Sequence, residues 1–168
     1  DKELISAFSA HAAIAIENLK LYEEKEKFLK NFLKTMAATL DARDPVTSGH
    51  SERVAKYATA IAKTLKMSEA DIKVLDYAAT LHDIGKIGVR DNVLLKPGQL
   101  TEEEFDAIKK HAVYTKQILE QMDYPSDMKD IPHIASSHHE KIDGSGYPYA
   151  LKGNQVSTIT SHCFQFLV

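Results

Sequence analysis

Cysteine, long apolar runs and a surplus of charge are what this chain has least of. Its one cysteine, Cys163, excludes an intrachain disulfide and fits a reducing compartment. Its longest apolar stretches fall far short of the ~20 residues that a membrane-spanning helix needs. The formal net charge of −3 leaves no basic excess for binding nucleic-acid phosphates. These absences disfavour a disulfide scaffold, a membrane span and a binder of polymeric nucleic acid.

Period-two alternation of apolar residues is also missing, so the sequence predicts no β-sheet. The chain has 168 residues with 43% apolar content, enough for one ordinary domain with a core. We therefore predict an all-α fold. The chain opens at Asp1 with neither an initiator Met nor a signal peptide, which suggests a piece of a longer protein.

The first forty residues are predicted to form one long helix with a heptad seam that is broken once, at a glutamate. The seam residues are Phe8, Ala12, Ala15, Leu19, Tyr22, Glu26, Leu29, Leu33, Met36 and Leu40. Such a helix either packs on its own domain or pairs in a parallel homodimer that carries a signal from an upstream domain. The length of the seam favours the homodimer.

Further helices are predicted from breaks and caps. A proline and a glycine in "DARDPVTSGH" end the first helix. We expect a second helix at about 51–66 and a third that begins after the N-cap Ser68 and contains "DIKVLDYAATLHDIGKI". A fourth helix begins at the capping box of Thr101 and Glu104 and runs to about 122. A fifth begins at about 130 and contains "IPHIASSHHE". The segment "RDNVLLKPGQL" is expected to be a loop.

Six of the eight histidines lie between His50 and His139. His82 and Asp83 are predicted to lie inside an apolar helix, where a carboxylate is costly unless it is paired or bound to metal. An ion pair of Asp83 with Lys86 is the structural alternative, but it leaves His82 unexplained. The candidate metal ligands, carried by four predicted helices, are His50, His82, Asp83, His111, His138 and His139.

The composition of this set indicates the kind of metal. Nitrogen and oxygen ligands without a thiolate suit iron, manganese, nickel or zinc. On a helix the adjacent His138 and His139 would point about 100° apart, toward two ions or toward one ion from two directions. Six ligands fit two ions better than one tetrahedral ion. Two ions bridged by a carboxylate can share a hydroxide for in-line displacement at phosphorus.

Four ordered motifs resemble the HD-GYP domain, a bacterial subclass of the HD phosphohydrolases. They are "GHSERV" (49–54), "HDIGKIG" (82–88), "KPGQLTEEEF" (96–105), and "HH" followed by "DGSGYP" (138–148). The resemblance covers roughly 41–153 and implies an HD-domain helical bundle with two iron or manganese ions on the six ligands above. It implies Asp83 and Lys86 as catalytic residues, with Lys86 facing the scissile phosphate. Trinuclear members carry a Glu where this chain has Val46, which favours two ions.

The function that the resemblance implies is hydrolysis of cyclic di-GMP to linear pGpG, GMP or both, in the bacterial cytoplasm. The Gly-Tyr-Pro turn, with Gly144, Gly146, Tyr147 and Pro148, would line the substrate pocket and contact GGDEF-domain partner proteins. A purely structural turn is the alternative. Two further alternatives for the whole domain are a catalytically impaired nucleotide- or partner-binding module and an enzyme for another cyclic dinucleotide.

The two ends of the chain differ from the central motifs. The stretch "AFSAHAAIAIENLKLYEE" resembles the last helix of a GAF sensor domain, so residues 1–40 are predicted to be a signalling linker and 41–168 the HD-GYP domain. After Gly153 the resemblance stops, and Leu167 falls where the family has a ligand Asp. We expect an under-coordinated metal and a missing packing helix there. Glu140 is expected to orient one of the two adjacent histidines.

Overall fold

A computed structural model describes residues 1–43 and 49–164, and the predicted all-α class is confirmed, because no strand forms among them. The helices are α1 (Lys2–Asp41), α2 (His50–Thr64), α3 (Glu69–Leu81), α4 (Asp91–Leu94), α5 (Glu102–Leu119), α6 (Ile131–Ser136) and α7 (Thr158–Cys163). Short 3₁₀ helices span Ile84–Gly88, Ser126–Met128 and Gly153–Gln155. No helix in the described ranges is both long and apolar enough to cross a membrane.

The chain divides into two compact units, Asp1–Leu33 and Lys34–Val168. In the first unit, the seam side chains of Phe8, Leu19 and Tyr22 are 75%, 64% and 59% exposed. The N-terminal part of the seam is therefore exposed, whereas Leu33 near its other end is buried, and pairing with a second copy stays a prediction.

In the second unit, α2 packs against α3, the Ile84–Gly88 helix against α5, α6 against both α3 and α5, and α7 against α2. The predicted caps are present: Ser68 accepts a hydrogen bond from the backbone N–H of Asp71, and Thr101 and Glu104 form a reciprocal capping box. These caps fix the residues at which α3 and α5 begin. They thereby also set the positions of the polar side chains further along each helix.

The segment after α3 lies unusually close to α5. A Cβ on Gly85 would be 2.0 Å from the carbonyl oxygen of His111, so a side chain cannot be accommodated there. The hydroxyl of the fully buried Thr115 donates to the carbonyl of His82 (2.8 Å) and accepts from the N–H of Gly85 (3.0 Å). This contact seats residues 82–85 on the backbone of α5.

Two predicted helices end earlier than expected. The third helix stops at Leu81, so His82 and Asp83 occupy a turn before the 3₁₀ helix instead of a helix interior. The last predicted helix is α6 and stops at Ser136, so His138 and His139 also lie in a turn and the 100° argument does not apply to them. The segment expected to be a loop contains α4. In the first case the hydrogen bonds to Thr115 replace those that a continuing helix would make.

The packing helix expected to be missing is present as α7, which begins at its N-cap Ser157. Cys163 and Phe164 at its end are fully buried. Residues such as Val46 and Leu167 lie outside the described ranges. The end of the domain is therefore packed up to Phe164, although its sequence departs from the motif.

Candidate metal centre

All six candidate ligands converge, in two groups of three. The mixed triad consists of His50, His82 and Asp83, and the imidazole triad consists of His111, His138 and His139. Within each triad one ligand atom of every residue lies within 4.8 Å of the others. The ligands come from the start of α2, the turn after α3, the middle of α5 and the turn after α6.

Asp83 joins the two triads. Its Oδ2 lies 3.3 Å from Nε2 of His82, while its Oδ1 lies 3.4 Å from Nε2 of His111 and 3.8 Å from Nε2 of His138. Lys86 Nζ contacts the same carboxylate at 2.7 Å. The ion pair that the sequence offered as the structural alternative thus exists, and it lies inside the histidine cluster. One carboxylate therefore faces both groups, as a bridging ligand would.

Three of the imidazoles are oriented by backbone carbonyls. Nδ1 is hydrogen-bonded to the carbonyl three residues earlier in His82 (2.7 Å), His111 (2.7 Å) and His138 (2.5 Å). A carbonyl only accepts, so Nδ1 carries the proton and Nε2 of a neutral ring presents a lone pair to the centre. His82 and His138 follow helix ends, where the last carbonyls lack intrahelical donors.

The lone pairs have no adequate partner among the described protein groups. Nε2 of His111 and Nε2 of His138 lie 3.1 Å apart, which places two acceptors face to face. Nε2 of His82 is buried and makes no hydrogen bond to any residue that the structure describes. Divalent cations would satisfy all of these nitrogens, so the donor set fits a metal centre.

Burial and charge set the protonation of these groups. Burial lowers the pKa of His138 well below its usual range and, with the nearby His111, lowers the pKa of His139 to about 3. For His82, burial is the largest single influence and favours the neutral ring, but the interaction with Asp83 and the hydrogen bond to the carbonyl of Ala79 together outweigh it and the pKa is raised. Burial opposes ionisation of Asp83 as well, yet His82 and other positive neighbours hold its pKa well below 3.8. The centre thus pairs an ionised carboxylate with mostly neutral imidazoles.

The Gly-Tyr-Pro turn packs directly against the imidazole triad. The Tyr147 ring stacks on the His139 ring at 4.5 Å, and the Tyr147–Pro148 peptide bond is cis. A Cβ on Gly146 would lie 2.5 Å from the carbonyl oxygen of His139, and Gly144 has a φ of +80°, so both positions favour glycine. The turn is therefore a wall of the centre.

Glu140 stabilises the Gly-Tyr-Pro turn. In the described residues it makes no hydrogen bond to a histidine, so the expected orienting role is not found. Its carboxylate is buried and accepts the backbone N–H groups of Tyr149 (2.6 Å) and Leu151 (2.9 Å). Together with Thr115, it is a residue whose role the sequence did not reveal. Its adjacency to the histidine pair was a signal, but its partners lie nine and eleven residues further on.

Phe164 closes the other side of the centre. Its ring lies 6.1 Å from the ring of His82 and 6.3 Å from that of His138. An apolar, fully buried side chain at this place excludes water from the two imidazoles. The last described residue thus shields the ligands without donating to a metal.

Comparisons with known proteins agree with this geometry. A family model described as "HD domain" matches residues 34–160. The 3'3'-cGAMP-specific phosphodiesterase 3 of Vibrio cholerae is 44% identical over 135 residues, covering 80% of this chain and 29% of the relative. The cyclic di-GMP phosphodiesterase of Thermotoga maritima is 41% identical over 137 residues, covering 82% and 37%.

A third relative matches almost the whole chain. The 3'3'-cGAMP-specific phosphodiesterase 2 of Vibrio cholerae is 32% identical over 156 residues, covering 93% of this chain and 30% of the relative. The chain thus spans only about a third of the length of these relatives. The relatives' names describe phosphodiesterases for two different cyclic dinucleotides.

Proposed function

Because this chain belongs to the HD domain family, we propose that it is a metal-dependent phosphodiesterase that hydrolyses a cyclic dinucleotide. The observation that carries the proposal is the convergence of five imidazoles and Asp83 in two adjoining triads, where Nε2 of His82 has no hydrogen-bond partner and Nε2 of His111 faces Nε2 of His138. Such a set is expensive to bury unless it binds cations.

We propose two divalent ions, iron or manganese, one on each triad. His50 and His82 would hold the first, His111, His138 and His139 the second, and Asp83 both. When bound, such ions act as Lewis acids at a phosphoryl oxygen and activate water. The short Nε2 distance between His111 and His138 supports a cation shared by these two rings.

Lys86 would meet the scissile phosphate. Its Nζ lies 2.7 Å from Asp83, and its side chain is only 20% exposed. A metal would take over the carboxylate, which frees the ammonium to pair with a phosphate as a compact point charge. Lys86 then stabilises the extra negative charge that develops on the phosphoryl oxygens during displacement.

The Gly-Tyr-Pro turn would hold the nucleotide beside the metals. Gly144 and Gly146 let the turn pack tightly against Lys152 and against the backbone of His139, and Pro148 fixes the turn. Burial and the charge of Asp83 raise the pKa of Tyr147, so its hydroxyl stays protonated and can donate a hydrogen bond. Lys109 lies 6.0 Å from the Tyr147 ring and adds positive charge on this side.

The substrate is either cyclic di-GMP or 3'3'-cGAMP, since similar relatives carry both names. Cleavage would give a linear dinucleotide such as pGpG, or mononucleotides after a second cut. A specific observation favours one other function: Leu167 occupies the position of an expected ligand Asp. A chain that lacks this ligand would bind the nucleotide or a partner protein without cleaving it.

We also propose partners for this domain. The exposed seam on α1 favours a homodimer that receives a signal from an upstream sensor such as a GAF domain. The exposed Ile142 and Tyr149 beside the Gly-Tyr-Pro turn suit contacts with GGDEF-domain proteins. We expect the protein to act in the bacterial cytoplasm, where such second messengers would be its substrates.

The test is hydrolysis of each dinucleotide by protein loaded with manganese or ferrous iron. We expect conversion to the linear product by the unaltered chain, and none by a His82→Ala/Asp83→Ala variant. His11→Ala, a change at an exposed histidine of α1, is the matched control and should leave the rate unchanged. Tight nucleotide binding by the metal-loaded chain without turnover would instead favour the receptor.

A further inference from the structure

Arg43, just beyond the end of α1, binds the segment that follows Asp83. Its guanidinium donates to the carbonyls of Lys86 (3.1 Å), Ile87 (3.1 Å) and Val89 (2.8 Å). It also forms a two-nitrogen contact with Oδ1 of Asp91, at 3.0 Å from Nε and 2.5 Å from Nη2. One side chain thus contacts four residues of a single short stretch.

This arrangement answers a local need of the backbone. The 3₁₀ helix Ile84–Gly88 is short, and the carbonyl of Lys86 near its end accepts one backbone N–H, from Val89, which leaves a lone pair for a second donor. The planar guanidinium of Arg43 offers several N–H groups in a fixed fork, which a lysine or glutamine does not reproduce. Its side chain is 31% exposed, so these bonds are partly shielded from water.

The same segment is fixed on its other side by α5. Thr115 binds the backbone of His82 and Gly85, and Gly85 lies against the backbone of α5 without room for a Cβ. Further along, Gly88 also packs on α5, where a Cβ would lie 2.6 Å from the ring of Tyr114. Between these two glycines, the carbonyl of Lys86 is bound by Arg43 and by the N–H of Val89. Arg43 is therefore the side chain that holds the lysine backbone in place, in addition to the local backbone hydrogen bonds.

We propose that Arg43 is a positioning residue that sets Lys86 at the metal centre and couples the end of α1 to it. The inference rests on the proposed function for its catalytic consequence. Arg43 acts through backbone carbonyls and does not touch substrate. Any displacement at the end of α1 would be transmitted through these hydrogen bonds to the residue proposed to bind the phosphate.

The first test is hydrogen exchange, because it does not depend on activity. The amide N–H of Lys86 bonds to the carbonyl of Asp83, and that of Val89 bonds to the carbonyl of Lys86, so both report on the 3₁₀ helix. In the full chain, Arg43→Gln should speed exchange at these two amides roughly tenfold. Amides in the middle of α5 should be unaffected.

The matched control is Lys34→Gln. Lys34 is also near the end of α1 and also reaches another element, through a 2.9 Å ion pair with Glu52 of α2 that is mostly exposed. It contacts none of the residues that Arg43 holds. We expect no change in exchange at Lys86 or Val89 in this variant, and Arg43→Lys should behave like Arg43→Gln because it lacks the fork.

The second test separates positioning from general stability. With metal bound, Arg43→Gln should lower kcat roughly ten- to a hundredfold and change KM little, with metal content and melting temperature close to those of Lys34→Gln. Unchanged exchange at Lys86 and Val89, or a kcat equal to that of Lys34→Gln in an active protein, would overturn the inference. If the unaltered chain hydrolyses nothing, faster exchange in Arg43→Gln still supports positioning, and only the proposed function fails.

Discussion

The mixed triad and the imidazole triad face each other but are built differently. In the mixed triad, His82 and Asp83 are held by a turn seated on α5, and Lys86 adds a positive charge. In the imidazole triad, His138 and His139 lie in a turn backed by the Gly-Tyr-Pro wall. The first group carries charges of both signs and the second carries none of its own.

This difference predicts how each triad behaves without metal. In the mixed triad, the raised pKa of His82, the lowered pKa of Asp83 and the ammonium of Lys86 form a compensated network. The imidazole triad keeps neutral rings because burial lowers their pKa values, and two of their Nε2 atoms oppose each other. Metal loss should therefore disturb the imidazole triad more than the mixed one.

The largest expected effect is on metal content. If each triad holds one ion, His50→Ala and His139→Ala should each reduce two bound ions per chain to about one and abolish hydrolysis, because removing one ligand costs tenfold or more in affinity. His133→Ala, on α6 outside both triads, is the control and should retain both ions. Metal is measured per chain after dialysis. Retention of two ions by both ligand variants would contradict the two-centre arrangement, as would loss of all metal from both.

The next effect concerns the positive charge that Lys86 places beside the mixed triad. Lys86→Met keeps the stem but removes the ammonium, and should lower kcat roughly ten- to a hundredfold, since a charge-assisted contact is worth about 1.5–3 kcal/mol. Lys63→Met, exposed at the end of α2, is the matched control. Steady-state hydrolysis by metal-loaded protein measures the change. Equal rates in the two variants would remove Lys86 from the proposed chemistry.

The sequence predicted the six residues that form the two triads, but neither their division into these groups nor the turns that present them. The ligands could be predicted because histidines and a carboxylate are rare on the apolar face of a helix. The caps at Ser68 and Thr101 could be predicted because each cap and its partner lie three residues apart in the sequence. The early end of α3 depends on Thr115, which lies 33 residues from His82. Apolar periodicity continues past Leu81, so no local signal marks the turn. Long-range hydrogen bonds decide such helix ends, and spacing along one sequence does not contain them.

Substitution of Glu140 should have a smaller effect, confined to the side of the centre that carries the imidazole triad. Glu140→Gln leaves one of the two loop N–H groups facing an amide donor instead of a carboxylate oxygen, which costs about 1–3 kcal/mol at a buried site. We expect a several-fold rise in KM for the dinucleotide, with both metal ions retained. Glu120→Gln, exposed just after α5, is the control and should change neither. If metal content falls as strongly as in His139→Ala, Glu140 supports the ligands instead of the wall.

The smallest expected effect is the pH dependence of the metal-free protein. The pKa of His139 is lowered from 6.5 to about 3, and those of His111 and His138 are also lowered, so below pH 6.5 the unfolded chain binds protons that the folded chain excludes. Stability should therefore fall as the pH drops from 6.5 toward 3. His82 acts oppositely, because its raised pKa adds stability below 6.5 that is lost as the pH rises through its folded value.

Burial also lowers the pKa of His50, so four lowered pKa values stand against one raised value and the net change is a loss of stability. Substitution can separate the contribution of the imidazole triad. The melting temperature of the metal-free chain should be a few degrees lower near pH 5 than near pH 7.5. His139→Asn replaces a titrating ring of the imidazole triad with an amide, so its melting temperature should fall less over the same interval. An equal fall in both proteins would place the acid sensitivity outside His139, and a rise would mean that the ion pair of the mixed triad dominates the pH response.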